Sequence, residues 1–136
     1  MAIKAYSDYT EDEMKTITKA VMSYLDDWNL SSVQSLSVLG LTGMSKARQI
    51  QNFRKGIVPF PEAPELMERI DHIVGISDAL RTTYPFSENM RLLWMRRPHR
   101  RFKKTAPLAV IVNEESLKGL VMVRTEVDCS YGYSVQ

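Results

Sequence analysis

The spacing of apolar side chains between Met14 and Trp28 constrains the fold of this chain more than any other feature. The apolar residues there are Met14, Ile17, Val21, Tyr24, Leu25 and Trp28. They recur at helical spacing, so one face of the segment should be buried. Thr10 and Glu13 precede it in the arrangement of a capping box, in which each side chain accepts from the backbone of the other. The sequence therefore predicts a helix over residues 11–28.

Two shorter helices are predicted next. Ser31 can cap a helix that Gly40 stops. After the turn LTGM, the segment SKARQIQNFRKG has either Phe53 or Arg54 completing an apolar inner face, and Gly56 ends it. A short helix, a turn with glycine and a second helix are typical of a helix-turn-helix.

The outer face of the second of these helices is polar and basic. It carries Lys46, Arg48, Gln49, Asn52 and Lys55. Such side chains reach base edges and phosphates, so they are predicted to bind DNA. The net charge of the whole chain is only +2, so affinity for an anionic partner must come from local charge. The competing interpretation is a solvated face of an ordinary small helical protein.

The proline-rich stretch IVPFPEAP divides the chain into two predicted regions, residues 1–61 and 62–136. The second region opens with a long helix that carries a broad apolar stripe and ends at Pro85. Gly75 lies inside this helix and lowers its stability. Such a stripe is usually core, although it could also be a dimer surface.

A dense basic run follows the next predicted helix. Ser87 can cap that helix, with Met90, Leu93 and Trp94 facing inward until Pro98. The stretch from residue 90 to residue 112 contains seven cations, which are Arg91, Arg96, Arg97, Arg100, Arg101, Lys103 and Lys104. This density favours nucleic-acid binding or contact with an acidic protein.

The last part of the chain allows two interpretations. Thr105 is predicted to cap APLAVIV, with Pro107 in the first turn. Beyond it, Leu117, Leu120, Val121 and Val127 fit a helix, whereas Val121, Val123, Thr125 and Val127 alternate as in a strand. The rest of the pattern predicts an all-α fold.

Few residues could support catalysis. The chain has two histidines, His72 and His99, and one cysteine, Cys129. It has no phosphate-binding glycine loop, nucleophile elbow or zinc-binding spacing, so we expect no enzyme activity, cofactor or metal site. An apolar run of a secretory signal or of a membrane span is also missing, which predicts a cytoplasmic protein with no role in a membrane.

The order of these segments resembles the Xre/MbcA/ParS-type antitoxin family over roughly residues 20–128. The resemblance rests on short motifs and on a C-terminal signature. The motifs are WNLSS at 28–32 with VLGL at 38–41, FRKG at 53–56, RI at 69–70 and GI at 75–76. The signature residues are Trp94, Pro98, Phe102, Thr105, Pro107 and Leu108. The chain departs from the family at His99, where the family has asparagine, at Lys103 and Lys104, where it has glycine, and at the inserted Ala106.

This resemblance implies a type II antitoxin with an N-terminal helix-turn-helix domain and a small helical toxin-binding C-terminal domain. The implied partners are operator DNA, a second copy of the chain in a homodimer, and a RES-type toxin that degrades NAD and is encoded by the adjacent gene. The residues predicted to contact the toxin are Arg97, Arg100, Arg101, Lys118, Tyr131 and Tyr133. The resemblance places residues 118–136 at the NAD pocket of the toxin, with the two tyrosines as plugs; a frayed terminus is the alternative for them.

Two other functions remain open. The first is a stand-alone helix-turn-helix regulator without a toxin partner. The second is a dimeric scaffold that uses the long helix as its interface.

Overall fold

The computed structural model describes residues 3–113 and 117–135, with side chains as far as residue 128. In that part of the chain, seven α-helices are joined by loops, and we number them in chain order. They are α1 (Glu11–Asp27), α2 (Ser32–Leu39), α3 (Ile50–Lys55), α4 (Leu66–Thr83), α5 (Glu88–Arg96), α6 (Pro107–Asn113) and α7 (Leu117–Val135). Short 3-10 turns occupy Tyr6–Asp8, Ala47–Gln49 and Arg100–Phe102. The described residues contain no strand, so the all-α prediction is confirmed.

The predicted capping residues begin and end the first two helices. The Glu13 N–H donates to Thr10 Oγ1 at 3.1 Å, and the Thr10 N–H donates to Glu13 Oε1 at 2.9 Å. The pKa of Glu13 is lowered because its carboxylate accepts hydrogen bonds from the Thr10 N–H and from the Thr10 side chain. Ser31 caps α2 in the same way, and Gly40 ends it in the left-handed conformation.

The chain separates into two compact units, residues 1–71 (unit 1) and 72–136 (unit 2). This division lies inside α4, whereas the sequence predicted it before that helix. The proline-rich stretch belongs to unit 1 because Phe60 is anchored there. The Phe60 N–H donates to Thr18 Oγ1 at 2.9 Å, and its carbonyl accepts from the Tyr6 hydroxyl at 2.6 Å. Burial, together with the carboxylates of Glu62 and Glu11, raises the pKa of Tyr6.

The core of unit 1 is built from the predicted face of α1 and from the helices that follow it. Helix α3 packs against α1. The fully buried large side chains of this unit are Met14, Met22, Leu25, Leu39, Leu41, Ile50, Phe60, Leu66 and Ile70.

In unit 2, α6 packs against both α5 and α7. Helix α7 decides between the two interpretations of the last segment, because Leu120, Val123 and Val127 share one helical face and are buried. The predicted apolar stripe of α4 is also buried, since Leu66, Ile70, Ile73, Ser77 and Leu80 are all at most 5% exposed. The chain itself therefore covers the stripe that was a possible dimer surface.

Two predictions for unit 2 were wrong. Met90 and Leu93 were expected to face inward, but they are 39% and 46% exposed, and Met95 is buried beside Trp94. Thr105 was expected to cap α6, yet the helix begins at Pro107 and the Ala106 carbonyl accepts its first hydrogen bond. Thr105 instead pairs with His99 in an isolated bridge. It therefore lies one residue before Ala106, which occupies the cap position.

Candidate DNA- and partner-binding surfaces

The α2–α3 segment of unit 1 positions the predicted DNA-binding residues. The chain leaves α2 through Gly40 at a φ of 71°, and Leu41 is then 0% exposed. The N–H groups of Met44 and Ser45 donate to the Leu41 carbonyl and close the turn. The turn is longer than the three to four residues, roughly, of a helix-turn-helix. The second predicted helix is a 3-10 turn followed by the short helix α3.

The inner face of α3 settles the choice between Phe53 and Arg54. Phe53 is 2% exposed, and its ring lies 5.0 Å from that of Phe60, edge to face. Arg54 is half-buried and forms a two-pronged ion pair with Asp26, with Nε–Oδ2 at 2.8 Å and Nη2–Oδ1 at 2.9 Å. The hydrogen bond to Asp26 raises the pKa of Arg54. Arg54 thus joins α3 to the end of α1.

The five predicted DNA-binding side chains are all exposed. They are Lys46, Arg48, Gln49, Asn52 and Lys55. The Gln49 side chain is held by the turn, because its Oε1 accepts from the Lys46 N–H at 2.8 Å. Gln49 therefore caps the 3-10 turn. The five residues thus form an exposed polar surface that runs from the residue before the 3-10 turn to the end of α3.

The signature residues of unit 2 fall into two groups. Trp94, Phe102 and Leu108 are 9%, 7% and 7% exposed, and Pro107 is buried with them. Pro98 is exposed. The buried members act in packing, and Pro98 prevents continuation of α5.

His99 links the end of α5 to the loop behind it. Its ring centroid lies 4.8 Å from Trp94 and 6.3 Å from Phe102. Its Nε2 is 3.1 Å from the Trp94 carbonyl, and since a carbonyl only accepts, Nε2 carries the proton. His99 thus satisfies a carbonyl at the C-terminus of α5, where helices leave such groups unpaired.

Residues 99–105 form a closed loop that presents two lysines. The His99 carbonyl accepts from the N–H groups of Phe102 and Lys104, both at 3.0 Å, and the His99 N–H donates to the Thr105 carbonyl at 3.2 Å. Lys103 and Lys104 both have left-handed backbones, with φ of 53° and 66°. This conformation costs a side-chain-bearing residue roughly 1–2 kcal/mol. The glycine expected from the family resemblance would avoid that cost, whereas this chain exposes two cations there.

The residues predicted to contact a toxin are dispersed over unit 2. Arg97 and Arg100 are exposed, and Lys118 is exposed at the start of α7. Arg101 is exposed as well, but its Nε lies 3.7 Å from Glu126 Oε2, so α7 partly neutralises it. Tyr131 and Tyr133 lie outside the residues whose side chains the structure describes.

A surface that sequence analysis missed lies on α5. Phe86 is 99% exposed, immediately before the helix cap, and Met90 and Leu93 are partly exposed on α5. A cavity of about 310 Å³ is lined by Asn89, Leu92, Leu93 and Arg96. The signal in the sequence was the spacing of these four residues, which share a helix face.

The described residues contain no group of three or more His, Cys, Asp or Glu side chains that could hold a metal ion. None of the helices described is both long and apolar enough to cross a membrane. No family model matches the chain, and no curated protein is significantly similar to it.

Proposed function

We propose that this protein is the antitoxin of a bacterial type II toxin–antitoxin system. Its partner is a RES-type toxin that degrades NAD, encoded by the adjacent gene. The ordered series of motif residues from Trp28 to Leu108 supports this proposal. The structural observation that carries it is that the apolar signature residues Trp94, Phe102 and Leu108 are buried in one compact unit.

In the proposed mechanism, unit 2 binds the toxin and residues 118–136 occlude its active site. Arg97 and Arg100 are exposed beside a packed loop, so they can pair with carboxylates of the toxin. Neutralisation requires only that the antitoxin occupy the active site of the toxin. The antitoxin needs no catalytic residue for that task.

The second part of the proposal is that unit 1 represses the operon that encodes both proteins. The exposed strip of Lys46, Arg48, Asn52 and Lys55 supports DNA binding, because α3 buries its opposite face through Ile50 and Phe53. The contacts to phosphates give affinity, and those to base edges give specificity.

Growth rescue tests the antitoxin proposal. Cells that express the adjacent gene product should regain growth when the full chain is co-expressed, and deletion of residues 129–136 should weaken that rescue. The matched control is Arg48→Ala in unit 1, which should rescue as well as the unaltered chain. The proposal fails if neither the full chain nor its C-terminal half binds the adjacent gene product.

A second candidate function is a stand-alone transcriptional regulator, favoured by the exposed basic strip of α3 alone. Arg48→Ala should then weaken operator binding by about 1–3 kcal/mol and relax one base position. A gel-shift assay should compare binding of the protein's own promoter fragment by the unaltered chain and by Arg48→Ala. An unchanged shift would count against any role of α3 in DNA binding. Binding of the adjacent gene product separates this regulator from an antitoxin.

A further inference from the structure

The outward face of α5 carries exposed apolar side chains among its polar ones. Met90 and Leu93 are one turn apart and are 39% and 46% exposed, and Phe86 precedes them by one further turn at 99%. Exposure of three large apolar side chains forgoes the free energy that their burial would provide. An adjoining group of exposed apolar side chains of this kind marks an interaction site.

The same face holds a cavity that can receive an apolar side chain. Asn89, Leu92, Leu93 and Arg96 line its volume of about 310 Å³. They are spaced at i, i+3, i+4 and i+7 and therefore form one strip along the helix. A strip with two leucines at its centre and polar ends matches the way one amphipathic helix packs on another.

The charge around this face identifies its occupant as acidic. From Phe86 to Lys104 the chain has seven cations and one acid, Glu88. Arg96 borders the cavity, and Arg97 and Arg100 are exposed just beyond it. A second copy of α5 would bring like charges together, which is unfavourable. Nucleic acid could neutralise the cations, but phosphates offer nothing to Phe86, Met90 and Leu93.

We propose that the face formed by Phe86, Asn89, Met90, Leu93 and Arg96 binds an amphipathic helix of the toxin, whose flank is acidic. This inference rests on the proposed antitoxin function and specifies the surface and the partner element. An apolar side chain of the toxin helix enters the cavity beside Leu92 and Leu93. Carboxylates on its flank pair with Arg96, Arg97 and Arg100.

Binding of the purified adjacent gene product to the full chain tests this surface. Phe86→Ser, Met90→Ser and Leu93→Ser should each raise the Kd by about tenfold or more, as expected for residues at the centre of an interface. Arg97→Glu should also weaken binding, and the Kd of the unaltered chain should rise with salt.

Matched variants in unit 1 provide the controls. Met44→Ser replaces a methionine that is 52% exposed, and Lys4→Glu reverses an exposed cation. Both should leave the Kd unchanged. The α5 variants alter exposed side chains, so their unfolding curves should match that of the unaltered chain.

Each outcome has a distinct meaning. If the unaltered chain binds the adjacent gene product and the serine variants bind equally well, the α5 surface is wrong and the antitoxin proposal stands. If the unaltered chain does not bind that product at all, the proposed function fails and the surface loses its assigned partner.

Two further measurements identify a different occupant. If sedimentation shows a dimer that Leu93→Ser converts to a monomer, α5 binds a second copy. If vesicles of phosphatidylcholine and phosphatidylserine bind the unaltered chain but not Leu93→Ser, α5 binds an anionic lipid surface. Either result overturns the assignment to a toxin helix.

Discussion

Gly40 shows how one residue can satisfy two separate requirements. Its φ of 71° favours glycine, and a Cβ there would lie 2.9 Å from Arg69 Nε. Arg69 is only 8% exposed, and its Nη1 donates to the Val38 carbonyl at 3.1 Å, near the end of α2. The guanidinium thus satisfies a carbonyl that the helix leaves unpaired. The sequence predicted Gly40 as a helix end, but it could not predict Arg69 because that residue is distant along the chain.

Gly40→Ala should lower the free energy of unfolding by about 1–2 kcal/mol, because the added Cβ strains the backbone and displaces Arg69. Urea denaturation measures the change. Gly43→Ala is the control, since no atom lies within 4 Å of a Cβ there and its φ is not left-handed. The control should change the free energy of unfolding by less than about 0.5 kcal/mol. Equal effects of the two substitutions would contradict this account.

The glycine inside α4, Gly75, leaves room for the Arg124 side chain of α7. A Cβ on Gly75 would lie 2.5 Å from Arg124 Nε, and Arg124 Nη1 is 3.2 Å from His72 Nδ1. Because the guanidinium always donates, His72 Nδ1 accepts and therefore carries no proton. Gly75 weakens the helix by its conformational freedom, yet it leaves room for this link between α4 and α7.

A double-mutant cycle tests that link. Gly75→Ala improves helix propensity by roughly 0.5–1 kcal/mol, but it must displace Arg124 in the unaltered chain. The free energy of unfolding should therefore rise by that amount only in an Arg124→Met background, and it should rise less or fall in the unaltered background. An identical gain in both backgrounds would show that Arg124 does not depend on Gly75.

Helix α5 illustrates what spacing can and cannot predict. Ser87 caps it as expected, since the Met90 N–H donates to Ser87 Oγ at 3.1 Å. The buried face was nevertheless assigned incorrectly. Trp94 fits either of two adjacent faces, and only the packing of α6 decides that Met95, instead of Leu93, accompanies it inward.

At the scale of the whole molecule, a net charge of +2 conceals two separate basic surfaces. One lies on the 3-10 turn and α3 in unit 1, and the other follows α5 in unit 2. We propose that the first binds DNA and that the second binds protein. The proposal for the second surface rests on the exposed apolar residues Phe86, Met90 and Leu93, which immediately precede the basic run.

The salt dependence of operator binding tests this assignment. Lys46→Ala and Lys55→Ala should each reduce the slope of log K against log salt by about 1, since each removes one phosphate contact. Arg100→Ala and Lys103→Ala serve as controls in unit 2 and should leave the slope unchanged. A reduced slope in these two controls would place DNA on the basic run instead.

Local sequence signals predicted where several of the helices begin and end, because caps, glycines, prolines and helical spacing act within a few residues of one another. Thr10 with Glu13, Ser31 with Gly40, and Ser87 are examples. The same information placed five exposed side chains on the α3 segment. Helical spacing also predicted that Trp94 is buried, whereas the buried Phe102 was indicated only by the family resemblance.

The packing of the helices, and not the local pattern, brings together groups that are far apart along the chain. It joined Arg54 to Asp26, Arg69 to Val38 and Arg124 to His72. It also made the last segment a helix and turned Leu93 to solvent. The physical reason is that each helix has several faces of similar hydrophobicity, and the free energy of packing against neighbouring helices selects among them.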